Sequence, residues 1–222
     1  MAQFIDYNDV IFDAFCLHTK RKEIVERKHE GGRWYNTSET VPNAVTNTQI
    51  SNRAVVIGNG PNRLGFNLAH LKNPSGLLGA NTLQTYGCNA LYRDFTPDFL
   101  VAVGDDIVAE IANSEYPGSN IVYTHGEHII NYPGKFYLIP QNVSYDAGSL
   151  AVYMACFDGH KKIYILGFDN IPEASVVNNV YAGTLGYSDT NSNIDINKWI
   201  SDTYKIMNTY TDVDFCMVLP KN

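Results

Sequence analysis

The sequence predicts an α/β fold in which a mainly parallel sheet is covered by helices on both faces. From Arg53 onward, short apolar runs alternate with turn residues and helical segments, the rhythm of strands and helices in succession. Several of these runs are apolar on both alternations, as strands covered on both sides are. At 222 residues the chain is long enough for one well-packed core, and two full domains would be a tight fit.

Taken in order, the apolar runs place strands at Ala54–Ile57, Leu77–Asn81, Phe99–Val103, Ile121–Thr124, Phe136–Ile139, Ile163–Gly167 and Phe215–Leu219. Helices are expected after Pro61 and over Asp105–Asn113, Gly148–Phe157 and Ile196–Met207. The first fifty residues have a different character. Their charged run Lys20–Lys28 reads as an amphipathic helix ended by Gly31-Gly32, with its basic side chains on a solvated face or at a partner site. Asn36–Asn52, rich in Asn, Thr and Ser and carrying Pro42, reads as a loop or linker. The chain therefore divides into an N-terminal helical extension and linker over residues 1–50 and a core over 51–222. The extension is assigned to packing across the core edge or to a subunit contact in a homo-oligomer.

Composition excludes several classes. A net charge of −7 and a pI near 5.3 argue against a nucleic-acid partner, because a protein that tracks a phosphate backbone concentrates Lys and Arg. Cys16, Cys88, Cys156 and Cys216 are widely spaced, without zinc-type pairing, and read as reduced thiols. No basic segment followed by an apolar run opens the chain, and no stretch is apolar enough to span a membrane, so the expected compartment is the cytoplasm.

The most informative segment is Arg53–Arg63, where an apolar strand runs directly into Gly58-Asn59-Gly60-Pro61-Asn62. Glycines let a backbone approach a ligand without a Cβ clash, and proline suits the first position of a helix. A phosphate would then face free N–H groups and the positive end of the helix dipole. This is the arrangement of a Rossmann-like three-layer α/β/α domain that binds a nucleotide. The same residues also fit a tight strand-to-helix turn that binds nothing.

Other candidates stand where the carboxyl ends of strands are expected. Asn89, in Tyr86–Tyr92, offers a donor and an acceptor to a base, ribose or sugar, or stabilises a turn. Asp105 and Asp106 close a strand and suit a metal, ribose hydroxyls or the cap of the next helix. Gly148 and Ser149 open an apolar helix and make a second anion or ribose site, or a capped core helix. His125 and His128 follow a strand, where a histidine suits a general base or an ordinary surface position. Residues 182–193, flanked by Tyr181 and Tyr187, read as a loop that closes over a ligand.

Several motifs in this order resemble the bacterial sialyltransferases of glycosyltransferase family 42 and the related 6-hydroxymethylpterin pyrophosphokinase-like proteins. They are Gly-Asn-Gly-Pro at 58–61, Cys-Asn-Ala-Leu-Tyr at 88–92, Ala-Gly-Ser-Leu-Ala-Val-Tyr-Met at 147–154 and Lys-Ile-Tyr-Ile-Leu-Gly-Phe-Asp at 162–169, followed more loosely by the stretch through Val218-Leu219-Pro220. The resemblance spans about Arg53 to Pro220. It implies a nucleotide-sugar-dependent transferase with a nucleotide or nucleotide-sugar donor and a small-molecule or glycan acceptor. It also implies nucleotide contacts from Asn59, Asn89, Gly148 and Ser149, and lid tyrosines, here Tyr181 and Tyr187, at the departing phosphate. The family's lid histidine has no counterpart, since residues 170–222 contain no histidine, and the base falls to His125 or Asp169. The pyrophosphokinase-like alternative implies Mg²⁺ bridging ATP phosphates, with Asp105 and Asp106 as its ligands. A third alternative is a nucleotide-binding protein without activity.

Overall fold

The apolar runs build one parallel sheet. The computed structural model describes residues 3–6, 27–30, 33–36, 53–72, 83–169, 179–189 and 196–219. Among them are ten strands: β1 (Gln3–Asp6), β2 (Arg27–Glu30), β3 (Arg33–Asn36), β4 (Arg53–Ile57), β5 (Gln84–Cys88), β6 (Phe99–Val101), β7 (Ile121–Thr124), β8 (Tyr137–Leu138), β9 (Lys162–Leu166) and β10 (Asp214–Leu219). The helices are α1 (Asp105–Ala112), α2 (Tyr116–Ser119), α3 (Gly126–Asn131), α4 (Ala147–Phe157) and α5 (Ile196–Thr209).

Eight strands form a sheet in the order β1-β10-β9-β4-β5-β6-β7-β8, and every neighbouring pair is parallel. The order reverses at β4. From there the chain runs outward through β5, β6, β7 and β8, then returns to lay β9 against β4 on the other side. Loops leaving β4 and β9 part company at such a reversal, and ligands of open α/β sheets bind beside it.

Strand residues alternate between two cores. Val55, Ile57, Leu100, Val122, Tyr164, Leu166 and Cys216 face α1, Phe66, Leu71 and Tyr181. Ala54, Val56, Tyr86, Phe99, Val101, Tyr123, Ile163, Ile165 and Phe215 face α4 and the Ile206 side of α5. Helix α4 is apolar nearly all round and buried from Ser149 to Cys156, as befits a helix pressed between the sheet and α5. The expected three-layer α/β/α architecture with a parallel sheet is therefore present.

The structure departs from the sequence reading in four places. The second core strand is Gln84–Cys88, which runs into the Tyr86–Tyr92 segment read as a loop, whereas Leu77–Asn81 lies outside the described residues. Polar-looking Thr85 belongs in that buried strand because Asp98 accepts from both its N–H and its hydroxyl at 2.8 Å. The helix expected after Pro61 is a 3-10 turn, Pro61–Gly65. Arg27–Glu30, the end of the run read as helix, is instead a strand paired antiparallel with Arg33–Asn36, the two flanking Gly31-Gly32. Gln3–Asp6, within the segment read as an extension, pairs with β10 in the main sheet. Among the described residues no helix is long and apolar enough to cross a membrane.

Candidate functional site

The site lies at the carboxyl ends of β4, β9 and β5. The loop leaving β4 carries Gly58 to Asn62, and three of its amides are already engaged. Gly58 N–H donates to Leu166 O and Gly60 N–H to Gly167 O, each at 2.8 Å, so the two loops run on as a short ladder beyond the strands. Asn62 N–H donates to Asp169 Oδ2 at 2.7 Å. The expected phosphate cradle thus holds a carboxylate from the same chain, and the short 3-10 turn supplies little of the dipole a longer helix would.

The glycines serve side chains of the β9 loop. A Cβ on Gly60 would lie 2.3 Å from Asp169 Oδ2, and one on Gly58 2.8 Å from Phe168 Cδ2. A Cβ on Gly148 would meet the other edge of the same ring, Cε1, at 2.9 Å. The Phe168 ring therefore fills the space between the β4 loop and the start of α4, where the sequence reading placed a ligand. The start of α4 is closed as well. Asp146 caps it by accepting from Gly148 N–H and Ser149 N–H at 3.0 and 3.1 Å, and its other oxygen takes the Ser149 hydroxyl at 2.5 Å. At these two corners the amides of Gly58, Gly60, Asn62, Gly148 and Ser149 are thus paired within the chain, and Pro61 has no N–H to offer.

Side chains do converge beside these corners. Asn59 Nδ2 donates to Cys88 O at 3.2 Å and to the Tyr187 hydroxyl at 3.4 Å, while Asn59 Oδ1 is buried without a hydrogen-bond partner. Asn89, the first residue past β5, adopts φ of 46°, a left-handed conformation that asparagine tolerates. Its Oδ1 accepts from Val103 N–H at 3.1 Å and fixes the turn. Burial pushes the Tyr187 hydroxyl up to about 12, so it remains a protonated donor at neutral pH. Main-chain Val180 N–H donates to Asn59 O at 2.8 Å and ties the 179–189 segment to the β4 loop.

Tyr181 is turned inward. Its ring is buried, its hydroxyl donates to Asp94 Oδ1 at 2.5 Å and accepts from Arg63 Nη2 at 2.7 Å, and it lies 5.9 Å from the Tyr187 ring. Burial, then the bond to Asp94, raises its pKa. Arg93 holds the rest of the segment, donating to Thr184 Oγ1, to Leu185 O and to Glu110. Arg63, Arg93, Asp94 and Glu110 were not singled out in the sequence, where lone charges carry no pattern.

Of the two bases named from the sequence, Asp169 is the one the described residues bring to this place. It is buried at the end of β9, and burial raises its carboxyl pKa although hydrogen bonds from Asn62 pull the other way. A buried carboxyl with a raised pKa beside a topological reversal is the type of group that serves in acid–base chemistry. His125 stands elsewhere, past the end of β7 with β5 and β6 between it and β4, and its Nδ1 faces Asn142 Oδ1 at 3.4 Å. Asp105 and Asp106 are exposed in the first turn of α1, where negative charge complements the helix dipole. Asp105 Oδ1 lies 3.6 Å from His128 Nε2, and among the described residues no three His, Cys, Asp or Glu side chains converge as metal ligands.

No protein-family model matches the chain, and no curated protein does. Among solved structures, the sialyltransferase CST-II in complex with a trisaccharide acceptor and CMP is 14% identical, with 74% of this chain and 80% of that chain covered and a TM-score of 0.43. The sialyltransferase CstII from Campylobacter jejuni with the substrate analogue CMP-3FNeuAc is 15% identical, with the same coverage of both chains and a TM-score of 0.41.

Proposed function

We propose that this chain is a nucleotide-sugar-dependent transferase that holds its nucleotide by side chains, with Asp169 as the base. The observation that carries the reading is the buried carboxyl of Asp169, seated against Gly60 and Asn62 of the same loop that carries Asn59, whose Oδ1 is buried without a partner. A group with N–H or O–H donors, such as an amino-bearing base or a ribose, satisfies that oxygen. The order of the Gly-Asn-Gly-Pro, Cys-Asn-Ala-Leu-Tyr and Ile-Leu-Gly-Phe-Asp segments supports the same reading.

In this account the nucleoside rests on Asn59, Asn89 and Tyr187. Asn59 and Tyr187 fix each other's orientation, and the Tyr187 hydroxyl stays protonated to donate toward the leaving phosphate. Asp169 takes the proton of the acceptor hydroxyl as the sugar bond forms, a role its raised pKa suits. Because the amide corners are filled, little main-chain stabilisation of phosphate is available, and the donor binds modestly. Incubating the full chain with a panel of nucleotide sugars and measuring nucleotide release tests the reading. Release of one nucleotide, lost in Asp169→Asn while nucleotide binding persists, supports it; equal release by the variant removes Asp169 from the chemistry.

A further inference from the structure

Next to this site, on the far side of Arg63, an open cleft of about 530 Å³ is formed by the turns 63–69 and 94–96. That volume falls in the range of small-ligand sites. Its inner wall is a charged pair. Arg63 is 3% exposed and gives Nη2 to Asp94 Oδ2 at 3.0 Å, and its Nε is buried without a hydrogen-bond partner. Asp94 is half exposed, and each of its oxygens, one taken by Arg63 and the other by Tyr181, retains a further lone pair. Phe66 and Phe95 add apolar wall, and Asn67 and Thr96 are exposed at the cleft.

A buried guanidinium is expensive to keep unless it serves a partner. Here its charge is balanced by Asp94, so the cleft offers no net attraction to a phosphate or a carboxylate. What it offers is a mixed set: a carboxylate that accepts, and amide and hydroxyl groups that do both, beside aromatic carbon. A hydroxyl both donates and accepts, so a ring bearing several hydroxyls on an apolar carbon face matches this wall better than an ion or a hydrocarbon does.

We infer that the 63–69/94–96 cleft binds a neutral polyhydroxylated ring of pyranose type. Asp94 accepts from ring hydroxyls, Asn67 and Thr96 complete the polar edge, and Phe95 faces the C–H surface. That this ring is the transferase's acceptor rests on the proposed function; that the cleft binds it does not. Arg63 and Tyr181 form the wall the two sites share, because Tyr181 packs on Tyr187 of the nucleotide side.

The test is an amide-resolved NMR titration of the full chain with methyl β-D-galactopyranoside, methyl α-D-glucopyranoside and N-acetylglucosamine, with inorganic phosphate and acetate as ionic controls. At least one sugar is expected to give saturable shifts at Phe66, Leu68 and Phe95. An Asn67→Ala/Thr96→Val double variant, altered only at exposed positions, should weaken that sugar about tenfold, as losing two ordinary hydrogen bonds does. The proposal is overturned if no sugar saturates, if the double variant binds as the native chain does, or if phosphate or acetate gives the stronger response. A parallel CMP titration, read at Asn59, Asn89 and Tyr187, reports on the nucleotide site separately. Sugar shifts without CMP shifts leave the cleft standing and sink the transferase reading, and CMP shifts without sugar shifts do the reverse.

Discussion

Asp169 Oδ2 accepts the main-chain N–H of Asn62 at 2.7 Å and occupies the space that a side chain on Gly60 would need. A glycine turn of the kind that receives phosphate elsewhere is used here to seat a carboxylate of the neighbouring loop. The carboxylate keeps its place against a desolvation cost, which its raised pKa records.

Asp169→Asn preserves shape and leaves an acceptor for Asn62 N–H while removing the charge. Because the folded-state pKa of Asp169 is raised, its contribution to stability is fully present below its unfolded value and is lost as the pH rises through the folded one. The variant escapes that loss, so its Tm is expected to exceed the native Tm at neutral pH and to converge on it in acid. Thermal melts across the range check this, and a Tm difference independent of pH contradicts it. If Asp169 is the base, native activity also falls as the pH drops through the same raised pKa.

Gly58→Ala and Gly148→Ala each drive a methyl into the Phe168 ring, and at Gly58 also to 2.5 Å from Gly167 O. A loss of about 2 kcal/mol or more is expected for Gly58→Ala, the scale of overpacking against backbone. Gly118→Ala, with nothing within 4 Å of its new Cβ, should stay within about 0.5 kcal/mol of native. Denaturant melts of the three variants decide the matter.

Asp202 of α5 accepts from Asp146 N–H at 3.3 Å, next to the cap of α4, and pairs with Lys198 and Lys205. Burial pushes its carboxyl up, but the two lysines and the Asp146 amide outweigh it and hold the pKa below the usual range. Stability from this group is therefore present above the unfolded pKa and lost as the pH falls through the lowered folded value. Asp202→Ala should cost about 1 kcal/mol at neutral pH, since its lysine partners are exposed and re-solvate once released, and progressively less in acid. Denaturant melts at neutral and acidic pH measure the difference.

Arg93→Ala removes the tie from Glu110 to Thr184 and Leu185. Limited proteolysis should then cut within 182–189 faster than in the native chain while the sheet stays intact. Unchanged cleavage would mean that the Val180–Asn59 bond and the Tyr181 contacts hold the segment alone.

The parallel sheet was legible because β4, β6, β7, β9 and β10 are apolar on both faces, and buried parallel strands require that. β5 was hidden because Thr85 and Tyr86 look polar until their partners are known. Tyr86, fully buried, spends its hydroxyl on Asp158 and His160. The glycine turn was found, but its occupant was not. Which group fills a glycine's empty side depends on the loop from β9, more than a hundred residues away in sequence, and no local pattern encodes that pairing. The same distance hid Arg63, which meets Tyr181 only through the fold.

The measurement that bears most directly on the account is a calorimetric titration of the full chain with CMP and CTP, against ATP with Mg²⁺, repeated on Asn59→Ala and Tyr187→Phe. The account predicts saturable binding of one of these nucleotides without metal. It also predicts affinity weakened about tenfold in Asn59→Ala, where the unpartnered oxygen and its bonds are lost, with the fold unchanged. Native-like affinity in Asn59→Ala, or binding of ATP alone and only with Mg²⁺, contradicts it.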